Sequence, residues 1–286
     1  MVGRITRIIS NLYTVEVNNN GKISSYNCRA RGKFRNDKLI PLVGDMVKFN
    51  EEENYILEIM ERKNELSRPM IANVDSALIV TSLKRPDLST FLLDKMIVNV
   101  TIKDIEPIII FTKYDLLTEE ERKEINKIID YYKQVGYKVA LNTELNVIDN
   151  YIDNKVVVLT GQTGVGKSTL INKLLPDLNL ETNDISDALG RGKHTTRHVE
   201  LFNYKNSLIV DTPGFSSLDI IEDEKDNLRF YFPEFNNDEC KFRDCKHINE
   251  IGCKVKEDLN DNKILTSRYE SYRKMVTNDE NFNINN

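Results

Sequence analysis

The sequence has no apolar run approaching the roughly 18 residues of a membrane-spanning helix, which excludes a helical integral membrane protein. Its opening, MVGRITRIIS, is basic but has neither a long apolar core nor a small-residue cleavage site, so no secretory leader is expected and the expected location is cytoplasmic. Four cysteines in 286 residues are too few for a disulfide framework, and three of them crowd between 240 and 253. Net positive charge is also lacking. The total is -5, which on its own argues against a nucleic-acid partner. The charge is uneven, however: residues 1–40 carry Arg4, Arg7, Lys22, Arg29, Arg31, Lys33, Arg35 and Lys38 against only Glu16 and Asp37, an excess of +6 able to face phosphate. Internal repeats are absent, so the chain is no solenoid.

A globular mixture of 40% hydrophobic and 30% charged residues is present, enough chain for about two domains of roughly 100–200 residues. From Val2 to about Ile59, short β-rich runs (RITRIIS, LYTVEV, KISSYNC, DMVKF, YILEIM) alternate with turns such as NNNG and PLVGD, which predicts a small closed barrel of the OB or SH3-like kind. ERKNELSRP reads as a linker. From Ala72, strand and helix alternate through DSALIV, EPIIIF, YKVAL, NKVVVL and SLIVD, which predicts an α/β unit with a mostly parallel sheet. The remainder, from about 226, is polar, holds the cysteine cluster and the helix-like SRYESYRKMV, and ends in a tail expected to be disordered. The expected domains are 1–67, 68–225 and 226–286.

GQTGVGKST fits the phosphate-loop pattern G-x4-G-K-[ST] over Gly161, Gln162, Thr163, Gly164, Val165, Gly166, Lys167, Ser168 and Thr169. It follows an apolar strand and opens a helix, the context in which backbone N–H groups and the helix dipole cradle phosphate. Lys167 is the candidate for the β- and γ-phosphates and Ser168 for Mg²⁺. Further on, SLIVDTPGF delivers Asp211 toward a magnesium shell and Gly214 toward the γ-phosphate. Between them GRGKHTTRH has the composition of a switch segment, with Thr196, or failing that Thr195, a candidate magnesium ligand beside the alternative of an ordinary solvated loop.

A phosphate loop does not choose a base. In FTKYDLL, Asp115 offers one carboxylate that accepts from both N1–H and the exocyclic amine of guanine, with Lys113 along the ring, Thr112 and Tyr114 completing the motif. TKYD alone also fits a cap for the helix that follows. Residues 216–286, where the usual order would place a base reader, contain no Asn/Thr-Lys-x-Asp. Either the base is read otherwise, as in an ATPase or small-molecule kinase, or the reader precedes the phosphate loop. A scaffold using nucleotide only as a switch is a third reading. At the far end, Cys240, Cys245, His247 and Cys253 read C-x4-C-x-H-x5-C, a donor set for tetrahedral Zn²⁺ beside the alternative of reduced free thiols. Cys28 reads as a small buried hydrophobe and His198 as structural or solvated.

The order TKYD, GQTGVGKST, GRGKHTT, DTPGF, between a barrel-like amino end and CKFRDCKH, resembles the circularly permuted ribosome small subunit-dependent GTPase A family over about residues 1–275. The resemblance implies an α/β fold in which a circularly permuted P-loop GTPase domain follows an OB-type barrel and precedes a small, mainly helical zinc-binding domain. It further implies GTP and GDP as ligands, Mg²⁺, one structural Zn²⁺, and a monomer that acts on the small ribosomal subunit and its rRNA in late maturation. This chain departs from that pattern at Thr112, where the family usually has Asn; a shorter hydroxyl replaces the amide that ties the base loop to the phosphate loop, and weaker GTP binding is expected. VALNTE carries no convincing Ser-Ala base contact. Phe215 stands where many GTPases place a water-orienting glutamine, which leaves His194 as the nearest polar candidate for catalysis and predicts slow hydrolysis unless a partner assists. Gly164 replaces the Asn ligand of potassium-dependent relatives, so no K⁺ site is expected through it.

Overall fold

The computed structural model describes residues 1–19, 21–30, 39–67, 69–176, 199–211, 222–236 and 239–277, with the side chains of 211, 222, 223, 225 and 226 left out. Five strands open the chain: β1 (Val2–Ile9), β2 (Leu12–Asn19), β3 (Lys22–Ala30), β4 (Met46–Asn50) and β5 (Tyr55–Ile59). β1 pairs with both β2 and β4, and β3 runs parallel to β5, so the order 1-2-3-5-4-1 closes a barrel of OB type. Alternation along each strand sends Ile5, Val15, Val47, Phe49 and Ile56 inward, together with Cys28, which is fully buried.

The stretch read as a linker is structured. Glu65–Ser67 (β6) and Met70–Ala72 (β7) form a hairpin that leads into the second unit. Beside it, buried Asp45 accepts from the Leu42 amide at 2.7 Å and from the Arg62 guanidinium at 2.7 and 2.8 Å. This joint is made by side chains 17 residues apart, which local pattern does not disclose.

The second unit is built on β8 (Ser76–Ser82), β9 (Glu106–Thr112), β10 (Lys138–Leu141), β11 (Val156–Thr160), β12 (Glu200–Tyr204) and β13 (Ser207–Asp211), in the spatial order 10-9-8-11-13-12. All pairs are parallel except β12–β13. Every residue of β8 and β11 is buried, because helices cover both faces. Ala77, Ile79, Ile109 and Phe111 face α1 (Thr90–Thr101) and α2 (Glu119–Gln134), whereas Leu78, Val80, Ile108 and Ile110 face α3 (Leu145–Ile152) and α4 (Lys167–Leu174). The period-two alternation thus splits one apolar run between two cores. β12 also pairs with β1 of the barrel at Arg7 and Glu200, whose side chains lie 3.4 Å apart, joining both units in one sheet.

The carboxyl-terminal unit has 3-10 turns at Glu222–Tyr231 and Pro233–Phe235, then α5 (Lys254–Asn260) and α6 (Thr266–Thr277). Its core of Phe232, Phe235, Tyr269 and Tyr272 includes Val98 of α1. Arg268 of α6, fully buried, donates to Asp94 of α1 at 2.5 Å and to both carboxylate oxygens of Glu234 at 2.7 and 3.1 Å, with Phe232, Tyr132 and Tyr137 around its guanidinium. The tail from 278 lies outside the described residues.

Candidate nucleotide site and metal centre

Parallel pairing brings the ends of β8, β9 and β11 to one edge: Ser82 lies beside Thr112, and Thr160 beside Ile79. The loops after them therefore converge, although residues 112 and 165 are 53 positions apart in the chain. Thr112 is buried and its hydroxyl donates to the Val165 carbonyl at 2.6 Å. Lys113 adopts a left-handed backbone (φ 60°), and its ammonium donates to the Gly164 carbonyl at 2.8 Å and to the Arg85 carbonyl. Asp115 follows in a 3-10 turn with its side chain exposed. The TKYD loop is thus tied to the GQTGVGKST loop at two successive carbonyls, and the Asp115 carboxylate stands open beside them.

The phosphate loop owes its path to glycine. Gly161 sits at φ 149°, where an added Cβ would lie 2.2 Å from the Val80 carbonyl oxygen. Gly166, at φ 98°, is the amino cap of α4, and no side chain caps that helix, so its first N–H groups face the loop. Lys167 donates to the Gly161 and Gln162 carbonyls at 2.7 and 2.5 Å, which folds its ammonium over the loop. Val165 anchors the loop in the apolar core, Ser168 is half-buried on the first turn of α4, and Gln162, Thr163, Gly164 and Thr169 are exposed. Asp211 ends β13, whose Val210 pairs with Val158 of the phosphate-loop strand. His194, Thr195, Thr196, His198, Gly214 and Phe215 lie outside the described residues.

Two neighbours of this site carry no site residue in the sequence reading, neither VALNTE nor the loop after β8 offering a motif. The backbone N–H of Asn142 donates to the Phe111 carbonyl at 2.9 Å, so the loop after β10 runs beside TKYD. Its signal is positional, one residue past the register Leu141–Phe111, rather than compositional. The LKRPD loop after β8 is the second. Lys84 donates to both oxygens of Glu121 at 2.7 Å, and Glu121 also closes a capping box with Thr118 at the start of α2. Among the basic residues of the barrel, Arg7 is paired with Glu200 and Arg4 donates to the Gly44 carbonyl at 3.2 Å, while Lys22 and Arg29 are exposed. Arg31, Lys33, Arg35 and Lys38 are outside the described residues.

At the carboxyl end, one ligand atom each from Cys240, Cys245, His247 and Cys253 falls within 4.8 Å of every other. His247 Nδ1 lies 3.6 Å from Cys240 Sγ and 3.4 Å from Cys253 Sγ. Tetrahedral bonds of about 2.3 Å to sulfur and about 2.0–2.1 Å to nitrogen set an S···N edge of about 3.6 Å, so the donors fit Zn²⁺. Burial lowers the His247 pKa and favours the neutral ligand form. Burial pushes the Cys253 thiol up to about 12 and raises Cys245, so thiolates here call for a cation. The ligand loop is braced from several sides: Tyr269 and Tyr272 donate to the His247 and Lys246 carbonyls at 2.6 Å, and Arg229 to the Cys245 carbonyl at 2.9 Å. The Glu250 carboxylate accepts from the backbone of Lys246, Ile248 and Asn249 at 2.8–3.0 Å.

A family model described as RsgA GTPase matches residues 59–221, and one described as RsgA N-terminal domain matches residues 2–56. The chain belongs to the RsgA GTPase family. A curated relative from Halalkalibacterium halodurans, the small ribosomal subunit biogenesis GTPase RsgA, is 49% identical over 94% of this chain and 94% of its own. The Oceanobacillus iheyensis protein named small ribosomal subunit biogenesis GTPase RsgA 2 is 47% identical over 96% of both. Among solved structures, YloQ, titled a circularly permuted GTPase, superposes with a TM-score of 0.82 at 37% identity over 97% of this chain and 94% of that one. YjeQ from Thermotoga maritima gives 0.84 at 32% identity over 99% of both. RsgA membership accounts for the chain order: TKYD precedes GQTGVGKST because the sheet is circularly permuted.

Proposed function

We propose that this RsgA-family protein hydrolyses GTP to GDP and phosphate on the small ribosomal subunit during late maturation of that subunit; its relatives are named small ribosomal subunit biogenesis GTPases. The observation that carries this reading is the attachment of the Thr112–Asp115 loop to the phosphate loop through Val165 and Gly164. In this reading Asp115 accepts from N1–H and the exocyclic amine of guanine, and Lys113 flanks the ring. Lys167 and the amino end of α4 hold the phosphates of GTP and GDP. Ser168, Asp211 and Thr196 would hold Mg²⁺, which supplies charge neutralisation at the phosphates. His194 is the candidate for the polar group nearest the attacking water. A base loop secured in this way makes an incidental TKYD in an ATPase or kinase the weaker reading.

The barrel over 1–67 and the unit over 226–286 serve as contacts to rRNA, and 68–225 as the GTPase domain. Cys240, Cys245, His247 and Cys253 form a closed shell for a structural Zn²⁺. No helix among the described residues is long and apolar enough to cross a membrane. In this reading the protein is a cytoplasmic monomer. The test is GTP turnover with and without purified small subunits, with ATP as competitor. Acceleration by the subunit and indifference to ATP are expected. Turnover untouched by subunits, or competition by ATP equal to that by GTP, would rule the reading out.

A further inference from the structure

Tyr114, the variable residue of TKYD, is held at both ends by α2. The Arg122 guanidinium lies 5.3 Å from the centre of its ring, and its hydroxyl bonds to Asn126 Oδ1 at 3.1 Å. Arg122 and Asn126 are one turn apart, so a single face of α2 grips the side chain. Arg122 Nη2 also lies 3.5 Å from the Asp115 carbonyl. Its Nε is buried without a partner, an arrangement costly for an arginine able to reach water, so the stack on Tyr114 sets its position. On the other side of the turn, Glu121 ties the start of α2 to Lys84. Asp115 therefore sits on a turn whose orientation is dictated by Arg122 through Tyr114.

We propose that Arg122 and Tyr114 are positioning residues for base selection, fixing the Asp115 turn so that guanine is preferred over hypoxanthine. The inference rests on Asp115 reading the base. Hypoxanthine keeps N1–H and lacks the exocyclic amine. A carboxylate meeting two donors at once must be held in one orientation, whereas a contact to N1–H alone tolerates tilt. A loosened turn thus loses the amine contact first.

The test measures GDP and IDP affinity by calorimetry on the full chain, for the parent protein, Arg122→Ala, Arg122→Lys, Asp115→Ala and Lys123→Ala. In Arg122→Ala, GDP affinity is expected to fall about tenfold, the scale of one hydrogen bond to a charged group, with IDP affected less, so the GDP:IDP ratio contracts. Arg122→Lys keeps the charge but loses the guanidinium that lies over the ring, and contracts the ratio likewise even if the alanine variant folds poorly. Lys123→Ala, on the exposed side of α2, leaves both affinities unchanged. Equal losses for GDP and IDP, or an unchanged ratio in both Arg122 variants, would overturn the positioning role. A ratio that survives Asp115→Ala would instead show that the base-reading assignment fails.

Discussion

The hydroxyl of Thr112 donates to the carbonyl of Val165 across 2.6 Å, so a side chain shorter than the asparagine usual in the family still joins base loop to phosphate loop. The close approach is possible because Thr112 is the last residue of β9 and Gly166, next to Val165, takes a left-handed backbone (φ 98°) that turns the loop back toward it. Thr112→Val keeps shape and removes the bond. Loss of about 1–1.5 kcal/mol is expected, read as roughly tenfold weaker GDP binding in calorimetry. Unchanged affinity would mean that Lys113 alone secures the loop.

Gly161→Ala tests the backbone path of the phosphate loop. The new methyl would meet the Val80 carbonyl oxygen at 2.2 Å, and neither backbone can yield without breaking β8–β11 pairing. A destabilisation of about 2 kcal/mol or more and loss of nucleotide binding are expected in urea unfolding and calorimetry.

Removing Arg268 leaves Asp94 and Glu234 without their cation in the core between α1 and α6. Arg268→Met should cost about 3–5 kcal/mol, and Asp94→Asn in that background should recover part of it, since much of the loss is an unpaired buried carboxylate. Additive losses in the double-mutant cycle would contradict this.

One zinc per chain is expected by elemental analysis, absent in Cys253→Ser. Because burial raises the Cys245 and Cys253 thiols, metal and protons compete for the same sulfurs, so zinc is released as pH falls. Chelation should expose the carboxyl-terminal unit to protease while β8–β11 remain protected, as read by hydrogen exchange.

Burial opposes ionisation of Glu250, yet the N–H groups of Lys246, Ile248 and Asn249 outweigh it and hold the carboxyl below the usual range. Its stabilisation is present above the unfolded value of about 4.3 and disappears as pH falls through the depressed folded value. Glu250→Gln should therefore cost about 1 kcal/mol at neutral pH, with the gap to the parent protein closing in acid.

Much of the architecture was legible because it rests on local chemistry. The five barrel strands follow from period-two alternation, and the buried runs of β8, β9 and β11 from their unbroken apolar character. α3 announces itself weakly at its start, where Glu144 supplies no side-chain cap, although Leu145, Ile148 and Ile152 recur at helical spacing along its eight residues. The β6–β7 hairpin hid in a charged stretch of three-residue strands. Arg268 stands in SRYESYRKMV, a polar run, and its complete burial depends on Asp94, 174 positions away.

The sequence alone determined the candidate donor sets: a carboxylate able to meet guanine, glycines and a lysine able to hold phosphate, three thiols and an imidazole able to hold zinc, and an order of motifs that a permuted sheet reconciles. Tertiary structure decided which of these meet and how firmly. Whether Thr112 reaches Val165, and whether Arg122 settles on Tyr114, depends on separations of a few ångströms set by strand register and helix packing. Hydrogen bonds and ring stacks weaken steeply over such distances, whereas residue type and spacing are indifferent to them.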